Sequence, residues 1–271
     1  MPPDRSVLLV LGIAAAGLAG CAGQPRMNEP QSSSSTFVAV PDRSDRGSRN
    51  RGRGEPRMDE QTRRNNSDVL VELGQRYYAR GEYEIALEKL RSALSIDPTS
   101  ASGHTVIAIL YETINDGERA AEHYRKSVQY GGRSGDILNN YGSWLCRQRR
   151  FDDADAHFRR ALADPFYKSP ESALANAGTC ALAAGKFDVA ENYLRQVLTA
   201  RPEDEQALIG MAEVAWRKDD FLNARAFLQR AESRTPLSRS ALQLGAQIEE
   251  SLGDAGAAAA YRARMGSQDG G

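Results

Sequence analysis

Histidines, cysteines and a scatter of carboxylates are the residues of this 271-residue chain with chemistry beyond packing. His104, His123 and His157 lie in different helical segments or repeats. A zinc hydrolase needs two histidines one helical turn apart with a glutamate between them. A serine hydrolase needs its nucleophile at a G-x-S-x-G elbow, and phosphate transfer needs a glycine-rich loop. None of these patterns is present. His123 and His157 are 34 residues apart, so they read as equivalent surface positions of a repeat and not as metal ligands. The carboxylates are dispersed over helical stretches as solvated faces. No catalytic residue, metal or cofactor is expected, and no small-molecule substrate; the chain does not read as an enzyme.

Cys21 carries a different chemistry. Arg5 precedes an apolar run from Val7 to Gly20, and Leu18-Ala19-Gly20-Cys21 closes it. A helix of about 14 residues spans roughly 21 Å, short of the hydrocarbon core of about 30 Å, so the run reads as a signal-peptide core and not as an anchor. Small residues before a cysteine match the bacterial lipobox: the thiol receives a diacylglycerol and cleavage leaves Cys21 as the first residue. Two or more acyl chains give stable anchoring. Residue 22 is Ala and not Asp. By resemblance to other bacterial lipoproteins this directs the chain to the outer membrane, facing the periplasm. Residues 1–20 are thus the signal peptide.

Residues 21–66 are the lipidated cysteine and a tether rich in Ser, Arg, Asn, Gln, Pro and Gly, whose small apolar cluster is Phe37, Val38 and Val40. It cannot bury enough surface to offset its ordering entropy and is expected to be disordered. Its Arg-Gly stretch, residues 46–57, looks like a nucleic-acid segment, but a periplasmic address removes that partner, and it reads instead as a solvated tether that brushes anionic headgroups or cell wall. The formal net charge of −1 likewise excludes general affinity for polyanions.

The elements that would position any site follow from six alanines: Ala86, Ala120, Ala154, Ala190, Ala224 and Ala258, at steps of 34, 34, 36, 34 and 34 residues. A period near 34 marks tetratricopeptide repeats, antiparallel helix pairs stacked into a superhelix. The fold is therefore expected to be all-α, with repeats at about 67–100, 101–134, 135–168, 171–204, 205–238 and 239–266, and a flexible tail over 267–271. Gly81 and Gly185 fall in turns within repeats, and Pro98, Pro202 and Pro236 stop second helices. Cys146 and Cys180 sit on the first helices of neighbouring repeats. An even pair in an exported chain points to a disulfide; the alternative is two buried free thiols.

First helices of such stacks line the inner curve. The register places there Tyr78, then Ile109 and Glu112, then Asn139, Ser143 and Arg147, then Thr179 and Leu182, then Glu213, Trp216 and Arg217. Asn140 and Asn176 share one repeat position; each amide either holds the backbone of a bound peptide or ties down its own neighbouring helix. The mixture is neutral with aromatic anchors, which suits a peptide or protein partner.

Asn139-Asn140-Tyr141-Gly142-Ser143-Trp144-Leu145-Cys146 resembles the N-N-Y-G-x-[FW]-L-C stretch of the PilF/PilW lipoproteins of type IV pilus biogenesis. Phe151-Asp152-Asp153-Ala154, Asp164-Pro165-Phe166-Tyr167 and Asn176-Ala177-Gly178-Thr179-Cys180 continue the likeness. The long Arg-Gly-rich tether departs from it. The resemblance implies a pilotin: an adaptor that carries the pilus secretin subunit to the outer membrane and promotes its multimerisation, supporting pilus biogenesis and twitching motility. The alternative is another periplasm-facing repeat lipoprotein, scaffolding barrel assembly or cell-wall hydrolases.

Overall fold

The computed structural model describes residues 59–267. The signal peptide, Cys21, the tether up to residue 58 and the tail beyond 267 lie outside the described residues. Among the described residues, twelve helices follow one another in pairs. α1 (Glu60–Ala79) turns back as α2 (Tyr83–Ile96), α3 (Ala101–Thr113) as α4 (Gly117–Gly131), and α5 (Gly135–Arg147) as α6 (Phe151–Leu162). α7 (Pro170–Ala183) turns back as α8 (Phe187–Ala200), α9 (Glu205–Arg217) as α10 (Phe221–Glu232), and α11 (Arg239–Ser251) as α12 (Ala255–Ser267). No strand occurs among the described residues.

Small residues set the spacing within each pair. All six periodic alanines are 0% exposed, each on an even helix. Opposite them the odd helices offer Gly74, Ala108, Gly142, Gly178, Ala212 and Ala246. The approach is close: a Cβ on Gly142 would stand 2.9 Å from a Phe158 ring carbon, and one on Gly178 would stand 2.8 Å from Leu194 Cγ. Leu90, Phe158, Leu194 and Leu228 fill the space one turn beyond the alanines and are fully buried. Period-3.6 patterning therefore buries one stripe per helix, while side chains between stripes face solvent.

Each turn inside a pair is the same six-residue device. Its left-handed residue is Gly81, Asn115, Arg149, Gly185, Asp219 or Gly253, with φ between 59° and 80°. The next residue's N–H returns to a carbonyl five positions earlier, as from Glu82 to Tyr77 at 3.0 Å and from Lys186 to Ala181 at 2.8 Å. This satisfies carbonyls at the helix end. Glycine suits the position best, yet three of the six turns use other residues.

The first helix begins earlier than the tether boundary expected at 66. Asp59 caps α1 by accepting from Thr62 N at 2.8 Å. Gln61 bonds Asn65, and Arg64 pairs with Glu60, each four residues apart. Such i,i+4 pairs support a polar turn that buries almost nothing, so composition alone reads residues 60–66 as tether.

Consecutive odd helices touch one another along the row, whereas consecutive even helices do not. The stack therefore bends toward the odd helices, which form its inner face. All turns between repeats lie on one edge, together with the start of α1. All turns within repeats lie on the other.

Candidate inner binding face

The inner-face candidates sit on odd helices, and most polar tips are spent on the next repeat. Tyr78 on α1 shares a hydrogen bond with Thr113 Oγ1 on α3 at 2.8 Å. Glu112 on α3 accepts from Nε and Nη2 of Arg147 on α5, the latter at 2.8 Å, and from the Tyr124 hydroxyl at 3.1 Å. The Tyr124 phenol is pushed well above its ordinary range, first by burial and then by the Glu112 charge. Asn176 Nδ2 donates to Asn139 Oδ1 at 3.0 Å. Gln206 Nε2 donates to Thr179 Oγ1 at 3.1 Å, and Trp216 Nε1 donates to Ser251 Oγ at 3.1 Å. Arg217 lies 5.0 Å over the Trp216 ring and reaches Glu213 at 3.3 Å. The Tyr78–Thr113, Glu112–Arg147, Asn139–Asn176 and Trp216–Ser251 bonds span 35 to 37 residues and so join near-equivalent positions as a ladder along the superhelix axis. They hold odd helices in register, and the same side chains present their outer edges to the curve.

Of the two readings for Asn176, the tie to the neighbouring helix is the one found. Asn140, its positional equivalent, has no such partner among the described residues. Ser143 Oγ, one turn on along the same face of α5, is buried and also unpartnered. Ile109 and Leu182 are half-buried and pack on the cores behind them. The inner curve thus offers a neutral face with apolar contacts and, near its middle, an amide with unspent hydrogen-bonding capacity.

Cys146 and Cys180 are bonded as a disulfide, their Cα atoms 5.7 Å apart. The bridge crosses from α5 to α7 directly behind this polar centre. On the outer side a cleft of about 530 Å³ opens between α6, α7 and α8, floored by Ala177, Ala181 and Phe151. Its charges are paired: Asp155 binds Arg159 and accepts from the Tyr193 hydroxyl, Lys186 binds Asp152, and Asp188 binds Lys218.

Sequence reasoning missed one side-chain cluster. His123 and His157 are half-buried. His157 meets the Tyr141 ring edge-on at 4.8 Å, and that ring stacks on Trp144. His104 is 4% exposed, and its Nδ1 lies 3.0 Å from His123 Nδ1. His104 Nε2 lies 3.1 Å from Pro98 O. One consistent tautomer assignment has His104 donating to the carbonyl and accepting from His123, with both rings neutral. Helical periodicity cannot reveal this, because the two histidines come from different helices at a non-repeat spacing of 19.

Burial holds His123 down at about 4, with His104 and then Lys126 reinforcing it and Glu122 opposing. His104 is also lowered, chiefly by burial, with Lys126 adding and the Pro98 carbonyl, Glu122 and Asp97 opposing. Both folded values lie below the unfolded value of about 6.5, so the unfolded chain takes up protons first. The pair's contribution is fully present above about pH 6.5 and drains away as pH falls toward 4. Allowing for solvent contact at His123, the expected loss is about 1–2 kcal/mol. Urea midpoints measured between pH 7 and 5 should fall in the wild type and fall less in His104→Gln/His123→Gln; equal slopes would contradict it.

Comparison with known proteins agrees with this architecture. The Tetratricopeptide repeat family matches residues 133–203 and 176–239, and the TPR repeat family matches residues 74–115. The type IV pilus assembly protein PilF of Pseudomonas aeruginosa is 29% identical over 194 residues, 72% of this chain and 77% of that protein. The crystal structure of PilW, described as a widely conserved type IV pilus biogenesis factor, superposes with a TM-score of 0.70 at 32% identity, covering 74% of this chain and 92% of that one. The Pseudomonas aeruginosa PilF structure gives 0.69 at 28%, covering 78% and 95%. A match at 32% identity that spans nearly the whole of PilW reaches beyond the generic helix pair, and the chain belongs to the PilF/PilW family of tetratricopeptide-repeat proteins of type IV pilus biogenesis.

Proposed function

We propose that the chain is an outer-membrane lipoprotein adaptor that binds the secretin subunit of the type IV pilus and promotes its localisation and multimerisation. The observation that carries this reading is the likeness to PilF and PilW over the whole repeat array, at 32% identity across 92% of PilW. Repeat stacks present a long preformed surface, so a partner segment binds without the scaffold reordering. A secretin segment would lie along the odd helices. Ile109, Leu182 and Trp216 would supply apolar contact, and the Asn140 amide would bond the segment's backbone through its donor and acceptor. The lipid on Cys21 would hold the complex at the membrane, and the tether would give it reach. Catalysis has no part in this role; the work is binding and delivery.

Deletion of the gene should abolish heat-resistant secretin multimers in outer-membrane blots of unheated samples while monomer persists. Multimers at normal level and location would sink the proposal. Cys21→Ser should release the protein from the outer-membrane fraction; retention there would mean that lipid is not its means of attachment.

A further inference from the structure

The turn between α6 and α7 holds one aromatic residue out and the next one in. Asp164 fixes both. Its Oδ2 accepts from Gly135 N at 2.8 Å, its Oδ1 from Phe166 N at 2.9 Å, and its carbonyl from Tyr167 N at 3.2 Å. Tyr167 turns inward over Gly135, where a Cβ would stand 2.4 Å from the ring, and joins Leu138, Ala161 and Ala173. Phe166 is then left 87% exposed on a backbone that cannot withdraw it. A lone exposed apolar side chain is ordinary; Phe166 is distinguished by the Asp164 bonds that hold its backbone with the ring outward, and by the charges around it.

Its neighbours indicate what the ring would meet. Arg160 donates to Gly132 O at 2.9 Å, and with the Gly135–Asp164 bond this draws the α4–α5 turn against the α6–α7 turn. Arg133, on the α4–α5 turn, and Lys168, two residues after Phe166, therefore share this edge with it; both are exposed and neither is in an ion pair among the described residues. Tyr130, 43% exposed at the end of α4, lies on the same edge. Nearby Asp136 and Glu171 are the opposing charges, while Asp164 is spent on backbone N–H groups. This is also the edge at which α1 begins. In the sequence, residues 41–58, which precede α1, carry six arginines against three acids.

We propose that this edge is a lipid-contacting surface: Phe166 enters the headgroup region, and Arg133 and Lys168 meet anionic headgroups. An aromatic tip between cations suits the membrane interface. The contact can be weak, because anchoring at Cys21 makes it intramolecular. The inference rests on Cys21 being lipidated and leaves the inner face free for a protein partner.

The test uses the full lipidated chain in vesicles of phosphatidylethanolamine with phosphatidylglycerol. With Cys146 and Cys180 bonded and Cys21 acylated, a thiol introduced by Phe166→Cys is the only free one. Leu222→Cys is the reference: Leu222 is 69% exposed and lies next to the α9–α10 turn, on the opposite edge. An environment-sensitive dye at 166 should be quenched by shallow spin-labelled lipid on the order of threefold more than at 222. Adding Arg133→Glu and Lys168→Glu should remove the difference. Equal quenching at both sites in membrane-bound protein overturns the proposal. So does a dye at 166 that stays in water on vesicles and becomes shielded when secretin subunit is added, since the edge is then a protein contact. Protein that stays in the aqueous phase overturns the anchoring reading and this proposal with it.

Discussion

Replacing Cys146 with Ala is expected to lower the unfolding free energy of the repeat array by about 3–4 kcal/mol, the chain-entropy value for a bridge across a 34-residue separation. The bond closes a loop containing all of α6 and most of α7. Without it, the unfolded ensemble regains the freedom to separate the third and fourth repeats. The native contacts between α5 and α7 remain, so the effect lies mostly in the unfolded state. A repeat array is nearly one-dimensional, and each helix pair is held by its neighbours. A tie at the third-to-fourth junction therefore couples the two halves as well as stabilising them. Reductant should lower the wild-type urea midpoint to that of Cys146→Ala and leave the variant unmoved. Cys146→Ala/Cys180→Ala should cost little more than the single change, since both remove one bond. A midpoint indifferent to reductant would show that the bridge contributes no stability.

Legibility in the sequence divides along a physical line. Features that repeat at one position per helix pair could be read without coordinates. Six alanines announce the six close crossings, because only a small side chain fits where two helix backbones approach. Gly81 and Gly185 announce left-handed turns for the same kind of reason. Asn115, Arg149 and Asp219 do the identical job silently, because the handedness is imposed by the turn's hydrogen bond and not by their side chains. The inner-face residues were assignable to odd helices from register alone. That Glu112, Asn176 and Trp216 spend their polar atoms on the next repeat was not, because such bonds depend on rotamers at separations of 35 to 37 residues. Phe166 and Tyr167 show the limit most sharply. They are adjacent aromatics in one turn, and one carboxylate decides which is buried.

Those repeat-imposed fits set the other large effect. Phe158→Ala is expected to cost about 3–5 kcal/mol, because the ring is fully buried in the core cluster that holds Ala154, Tyr124, Tyr141 and Trp144, and its loss leaves a cavity there. Gly142→Ala strains the same spot from the other side. Its new Cβ would come within 2.9 Å of the Phe158 ring, too close to remain, so the ring or helix must shift at about 1–3 kcal/mol. Some of that cost is offset by the better helix propensity of Ala over Gly, about 1 kcal/mol. The two changes are coupled, since each acts through the same gap between α5 and α6. In the double variant the added methyl occupies part of the space the ring vacated. It meets no clash, and the propensity gain survives. Gly142→Ala should therefore destabilise the wild type and stabilise the Phe158→Ala background, a change of sign that independent sites do not show. Urea denaturation of the four proteins measures the cycle. If the two costs simply add, the glycine is not there to admit the ring, and the close crossing of α5 and α6 has some other cause.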